Sequence, residues 1–263
     1  MQHQIASRAT WQRARIDLLA REKAFTKMQD ELNAARRALP WVRIEKEYVF
    51  DGPNGKVTLA DLFRGRSQLF VKHFMMGPGQ QHQCVGCSFE VDHLTGILDH
   101  IENHDIAYAV VARARINEIE AYRRRMGWRV NWVSSYANDF NFDFHVSFTE
   151  EEMAAGKAWF NYREISPPLQ DLSGNSVFFK DETGQIFHTY SSYTRGSEMF
   201  LGAYAFLDVT PKGRAENGPT GTLADWVRPH DMYGKGGMVE PTGRYHAAEC
   251  GCGAHKPKIV ATQ

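Results

Sequence analysis

Residues 68–112 read QLFVKHFMMGPGQQHQCVGCSFEVDHLTGILDHIENHDIAYAVVA. Gln68 to Met76 is long and apolar enough for a buried strand, and the breakers Gly77-Pro78-Gly79 end it. A loop then delivers Cys84. From Cys87 to Asn103 the apolar residues Phe89, Val91, Leu94, Ile97, Leu98 and Ile101 fall at helical spacing, and Ile106 to Ala112 has the composition of a second buried strand. Strand, helix and strand in that order imply a right-handed parallel crossover within a layered α/β sheet.

Downstream, Ile116 to Met126 repeats the helical pattern and Trp128 to Val133 returns to a strand. Asp139 to Phe148 places Phe140, Phe142, Phe144, Val146 and Phe148 at every second position, which predicts an extended segment with one aromatic face. Thr149 with Glu152 forms a capping box for a helix running toward Tyr162. Ser176–Lys180 and Gln185–Tyr190 read as a hairpin joined through Asp181-Glu182-Thr183-Gly184, and Glu198 to Leu207 as a final helix. Upstream, Glu47 to Phe50, the turn Asp51-Gly52-Pro53-Asn54-Gly55 and Val57 to Phe63 make a small hairpin.

Before it, Thr10 to Leu39 carries Trp11, Ala14, Leu18, Phe25, Met28, Leu32, Ala35 and Leu39 in the three-then-four step of an amphipathic helix, with Thr10 as N-cap and Pro40 as stop. Arg21 interrupts that stripe. Such a helix either packs on its own domain or pairs two copies. After Tyr233 the sequence turns to Gly, Pro, Thr and His without apolar periodicity, which predicts a flexible tail. The expected organisation is a helix over residues 1–40, an α/β domain over 41–233 and a tail over 234–263.

The 263 residues are 43% hydrophobic and 24% charged, a globular composition that excludes general disorder. Lys plus Arg and Asp plus Glu are each 31, so there is no cationic field for nucleic acid. No run reaches the roughly 18 apolar residues of a membrane span, and the first 30 residues lack the apolar core of a signal peptide. The four cysteines fall in two tight pairs, Cys84 with Cys87 and Cys250 with Cys252, too few for a disulfide framework. A soluble protein of the reducing cytoplasm is expected, without nucleic-acid or membrane partners.

The chemistry centres on Cys84-Val85-Gly86-Cys87, between a buried strand and a helix start. A thiol there faces unsatisfied backbone N–H groups and the positive end of the helix dipole, and such sites lower a cysteine pKa from about 8.5 to roughly 3.5–7.5. Two intervening residues let the second sulfur close a disulfide with the first, so that Cys84 attacks a substrate disulfide and Cys87 resolves the mixed disulfide. The same spacing also supplies half of a zinc site, or two inert buried cysteines. Ser88, where c-type haem attachment requires His, excludes that cofactor, and no other is indicated. His246, Cys250, Cys252 and His255 offer ligands that suit zinc or copper, although Cys-Gly-Cys is a poor match to structural zinc spacing. Lys72 and His73 end the strand and would tune the thiols if the loop folds back. Arg113 and Arg115 follow the second strand at the carboxyl end, where open α/β sheets bind ligands.

The chain resembles the bacterial thioredoxin-like family known as domain of unknown function eight-nine-nine, described as predicted dithiol-disulfide oxidoreductases. The likeness is carried by Tyr48-Val49-Phe50-Asp51-Gly52-Pro53, by His73-Phe74-Met75-Met76-Gly77-Pro78, by Cys84-Val85-Gly86-Cys87-Ser88-Phe89, by Asp139-Phe140-Asn141-Phe142-Asp143-Phe144 and by Thr210-Pro211-Lys212-Gly213-Arg214. It covers roughly Thr10 to Tyr233. The resemblance implies a redoxin-type thioredoxin fold, a mixed central sheet flanked by helices, with Cys84 and Cys87 as the redox pair acting on a protein or small-molecule thiol or disulfide. It departs from its pattern at Val85-Gly86, where members often carry Pro. Gly174-Asn175-Ser176-Val177 lacks the proline that thioredoxins place opposite the dithiol, and Gln81 stands where peroxiredoxins carry threonine. The alternatives left by the residues are a metal protein using Cys84 and Cys87, with or without the tail pair, and a redox-silent scaffold.

Overall fold

The structure, a computed structural model, describes residues 4–248. The chain forms two compact units, Met1–Val42 and Arg43–Gln263. The first is dominated by α1 (Arg8–Arg37), capped by Ser7, whose Oγ accepts from the Thr10 amide at 3.2 Å, so the helix starts one turn earlier than Thr10 would set it. None of its residues is buried, and Trp11, Leu18, Phe25, Met28 and Leu32 all lie exposed along it.

The strands are β1 (Val42–Arg43), β2 (Val49–Gly52), β3 (Gly55–Thr58), β4 (Gln68–His73), β5 (Ile106–Ala112), β6 (Asn131–Ser134), β7 (Ala158–Phe160), β8 (Arg163–Ile165), β9 (Gly174–Lys180), β10 (Ile186–Tyr193), β11 (Met238–Val239) and β12 (Tyr245–His246). Eight of them make one mixed sheet in the order β1-β10-β9-β4-β5-β6-β2-β3. At its centre β4, β5 and β6 run parallel in succession, as the crossover pattern requires, with Gln68 opposite Ile106 and Ala109 opposite Asn131. On the other side of β4, β9 is antiparallel, and β10 returns along β9 with a bulge between His188 and Tyr190.

Alternation along the central strands sorts their side chains between two cores. Leu69, Val71, Ala107, Ala109 and Val111 point to a face shared with Phe50, Leu62, Phe140, Phe144 and Phe178. Phe70, Tyr108, Val110 and Ala112 point to the opposite face, with Cys87, Val91, Leu94, Tyr122 and Trp132. His73 therefore falls on the first face. It stacks on Phe140 and Phe144, with centroids 5.5 and 5.8 Å away, and its Nε2 lies 2.9 Å from Ser176 Oγ. Lys72 faces the other way, toward the thiols.

Five segments differ from the sequence reading. The helix expected over Cys87–Asn103 starts earlier and breaks, into α2 (Val85–Asp92), a 3-10 turn at His93–Gly96 and α3 (Leu98–Asn103). Thr95 and Gly96 are poor helix formers at the break. The Asp139–Phe148 run is not extended: after α4 (Ile116–Arg125), α5 (Phe140–Asp143) makes one helical turn, started by Asn138 Oδ1 accepting from the Phe140 amide at 2.9 Å. Phe140 and Phe144, four apart, then share a side.

The Thr149 capping box forms as expected, but α6 (Glu150–Ala155) stops at Gly156, whose φ of 63° ends the helix. The expected last helix is a 3-10 stretch over Thr194–Phe200 followed by α7 (Gly202–Leu207). The segment from Gly234, expected as a flexible tail, is ordered in its described part. There β11 and β12 pair, and Tyr245 packs with Val85, Phe89, Leu201 and Val227. Its apolar residues are too widely spaced to register as periodic.

Candidate functional site

The loop after β4 is stitched by one side chain. Gln80 accepts from the Gly77 amide at 3.1 Å and donates to the carbonyls of Met75 and His82 at 3.3 and 2.6 Å, while Gly79 supplies the positive φ of 70° that the turn needs. This delivers Cys84 to the N-cap of α2. Its Sγ accepts from the Cys87 amide at 3.3 Å, in the role a Ser or Asp oxygen plays elsewhere. The β11–β12 hairpin fixes the loop from outside, since the Val85 amide donates to Gly243 O at 2.8 Å and the Tyr245 amide to Gln83 O at 3.2 Å. At Gly243, with φ of 85°, a Cβ would stand 3.7 Å from Cys84 Sγ.

Both cysteines are free thiols and both are buried. They differ in ionisation. The Cys87 thiol hydrogen-bonding to Cys84 is the largest influence on it and, with the Cys87 and Gly86 amides and the Lys72 ammonium, outweighs burial to bring its pKa down to about 7. Burial pushes the Cys87 thiol up, and the hydrogen bond to Cys84 and the charge there push it further. One thiol is thus poised to ionise near neutrality and the other is held protonated beneath it.

Beneath both lies an ion pair that sequence reasoning missed in part. Lys72 Nζ donates to Glu90 Oε2 at 2.6 Å, with side chains 1% and 5% exposed. Burial disfavours the Lys72 ammonium, but Glu90 and the thiolate positions of Cys87 and Cys84 together outweigh it and hold its pKa above the ordinary value. Glu90 sits three residues after Cys87 on the same helix face. A carboxylate between Phe89 and Val91, and a lysine in an apolar strand, were the signals available. Lys72, Cys84, Cys87 and Glu90 share a cavity of about 410 Å3, whose other wall includes Ser173, Arg195 and Glu198.

The remaining candidates do not converge here. His73 lies on the opposite sheet face and is held neutral by burial, its pKa down to about 3. Arg113 makes a two-pronged pair with Asp171 at 2.8 and 3.0 Å, and Asp171 also accepts from Ser147 Oγ at 2.6 Å. Arg115 donates to Tyr136 Oη at 3.0 Å. At the end of α4, Arg123 pairs with Glu120 and Arg125 with Asp231. His246 pairs with Glu240 at 2.5 Å and lies over the His82 ring. Cys250, Cys252 and His255 lie outside the described residues. Among the described residues no three His, Cys, Asp or Glu side chains group closely enough to hold a metal ion, and no helix is long and apolar enough to cross a membrane.

The parallel β4-β5-β6 core, the antiparallel β9 and β10 beside β4, and a dithiol at the start of the helix after β4 define a thioredoxin-like protein of the redoxin type. The chain belongs to the family described as "Bacterial protein of unknown function (DUF899)", whose model matches residues 1–233. No curated protein matches it. Among solved structures it is similar to Xanthomonas campestris peroxiredoxin Q, at 12% identity and a TM-score of 0.42 over 60% of this chain and 87% of that one. It is similar also to peroxidoxin BcpB from Mycobacterium tuberculosis, at 9% identity and a TM-score of 0.40 over 63% and 94%.

Proposed function

We propose that the protein is a thiol-disulfide oxidoreductase of the cytoplasm that works through Cys84 and Cys87 on a protein or small-molecule disulfide. The observation that carries this reading is the asymmetry of the pair: an N-cap sulfur with its pKa brought down to about 7, and a buried partner whose pKa is raised. The Cys84 thiolate attacks one sulfur of the substrate disulfide, forming a Cys84–substrate bond and expelling the other sulfur as thiolate. Cys87 then loses its proton and displaces the substrate from Cys84. The products are the Cys84–Cys87 disulfide and the reduced substrate, whose two sulfurs take the two electrons, one proton from Cys87 and one from the solvent that accepted the Cys84 proton on ionisation. The cavity beside the thiols, with Lys72 and Glu90 in its wall, gives the substrate an approach.

Equilibration in glutathione buffers, with free thiols counted by mass spectrometry and metal measured on the same sample, tests the reading. The expected result is a reversible two-electron couple within roughly −270 to −120 mV, the span of such dithiols, and no bound metal. Thiols that never pair would leave a redox-silent scaffold, and stoichiometric zinc, copper or iron would leave a metal protein.

We read α1 as the dimerisation element. Trp11, Leu18, Phe25 and Leu32 recur at the seven-residue step of a two-helix seam, and all four are exposed. Sedimentation equilibrium is expected to give a dimer that Leu18→Glu with Leu32→Glu converts to monomer. A monomer in the unaltered chain refutes it.

A further inference from the structure

The cavity beside the thiols continues into a second one. Ser173, Thr194, Pro241 and Thr242 line both the cavity of about 410 Å3 that holds Cys84 and Cys87 and a neighbouring cavity of about 470 Å3. Met75 also lines the second, and its backbone hydrogen-bonds to the Cys87 sulfur, which places that cavity directly beside the dithiol. The wall the two share is strained. Thr194, a β-branched residue, has a φ of 49°, in the left-handed region that such side chains rarely adopt. Strain of this kind persists only where the surroundings impose it, and it gathers at active sites and ligand clamps.

The two cavities differ in chemistry. Phe160, Ile165, Leu169 and Leu172 give the second an apolar lining, and Arg163, the charged residue of its wall, is exposed. Ile165, Leu169 and Leu172 are only half-buried, so an apolar side chain laid on them removes further surface from water. The dithiol cavity instead carries the carboxylates of Glu90, Glu198 and Glu216 against the cations of Lys72 and Arg195, an excess of negative charge that disfavours an anionic substrate. Glutathione disulfide, polar and doubly negative, suits neither cavity. A peptide disulfide with an apolar residue next to its cysteine suits both, since neighbouring Cα atoms are only about 3.8 Å apart and the cavities adjoin.

We propose that the substrate of this site is a polypeptide disulfide, with an apolar side chain beside the reacting cysteine seated against Phe160, Ile165 and Leu172 while its sulfur meets Cys84. The inference rests on the thiol-exchange reading above and narrows its substrate to one class. In a single pass the peptide disulfide takes two electrons from Cys84 and Cys87 and leaves as two peptide thiols, while the protein becomes the Cys84–Cys87 disulfide. The seated side chain holds the two reacting sulfurs together, so its effect is read in the rate of exchange.

The reduced full chain is mixed with the homodisulfide of acetyl-Gly-Leu-Cys-Leu-Gly-amide, with that of acetyl-Gly-Ser-Cys-Ser-Gly-amide, or with glutathione disulfide, and protein thiols are counted by acid quench and mass spectrometry. Each rate constant is divided by that of the same disulfide with free dithiothreitol, which removes differences in intrinsic reactivity. The expected result is a normalised rate for the Leu peptide about tenfold above those for the Ser peptide and for glutathione disulfide. Ile165→Glu, which sets a carboxylate in the apolar cavity, is expected to bring the Leu-to-Ser ratio to about one. Equal rates for the two peptides, glutathione disulfide matching the Leu peptide, or an undiminished Leu preference in a folded Ile165→Glu protein overturns the proposal. Dithiodipyridine, a small reactive disulfide, separates that failure from failure of thiol exchange itself. A protein that this reagent converts to the Cys84–Cys87 disulfide, but that shows no Leu preference, loses only the polypeptide assignment, whereas one that forms no such disulfide loses both. The peptide comparison uses the unaltered protein and decides even if the variant fails to fold.

Discussion

Cys84→Ser is expected to bring disulfide reduction down to the uncatalysed background, whereas Cys87→Ser retains attack and stalls as a covalent mixed disulfide with its substrate. The two outcomes differ because the two sulfurs do. With its pKa near 7, Cys84 is about half thiolate at neutral pH, against a few per cent for an ordinary thiol near 8.5. Cys87, pushed up by burial and by the charge at Cys84, has no such nucleophile to offer until the mixed disulfide removes that charge. Iodoacetamide modification of Cys87→Ser, followed by mass spectrometry, should therefore rise with pH to half its plateau near 7, because the thiolate is the reactive form and accumulates above its pKa. The serine hydroxyl keeps a donor beside Cys84. Cys87→Ala removes the largest influence holding that pKa down, and its half-rise should move toward the ordinary thiol value. Full exchange activity in both serine variants, or identical pH profiles for Cys87→Ser and Cys87→Ala, would remove the attacker-and-resolver assignment.

What the sequence made legible follows from how local each signal is. Strand β4, strand β5 and the intervening dithiol were readable because apolar runs and breakers are short-range patterns, and the parallel pairing of β4 with β5 follows from chain direction. The strand period of two sets Lys72 and His73 on opposite faces, but the sequence reading placed both beside the thiols, because nothing local told which face the loop would bring Cys84 onto. That depends on Gln80 folding the loop and on the β11–β12 hairpin, more than 150 residues away in the chain, hydrogen-bonding to Gln83 and Val85. The aromatic run at 140–148 misled for the opposite reason. Alternate phenylalanines fit a strand, but the Asn138 side chain captured the Phe140 amide and started a helical turn instead. Glu90 was visible as a charge among apolar neighbours, but its partner lies on a different element, and pairing across elements is not written in either segment alone.

That pairing carries the second large effect. Glu90→Ala leaves the Lys72 ammonium buried without a partner, and breaking a buried pair from one side costs about 3–5 kcal/mol. At roughly 2–4 °C per kcal/mol for a domain of this size, the thermal midpoint should fall by about 6–20 °C. Replacing both partners by apolar residues, Lys72→Met with Glu90→Leu, should recover most of that loss, because no uncompensated charge remains and the surroundings are already apolar. Thiol reactivity should fall in this double variant even so. The Lys72 cation is one of the influences that favour the Cys84 thiolate. Without it the thiol titrates upward, and alkylation at pH 7 slows even as the fold is restored. A pair serving only stability would leave the alkylation profile of the double variant the same as that of the unaltered protein. Separation of the two, with a recovered midpoint and an upward-shifted alkylation profile, is the result that makes Lys72 a positioning residue for the dithiol.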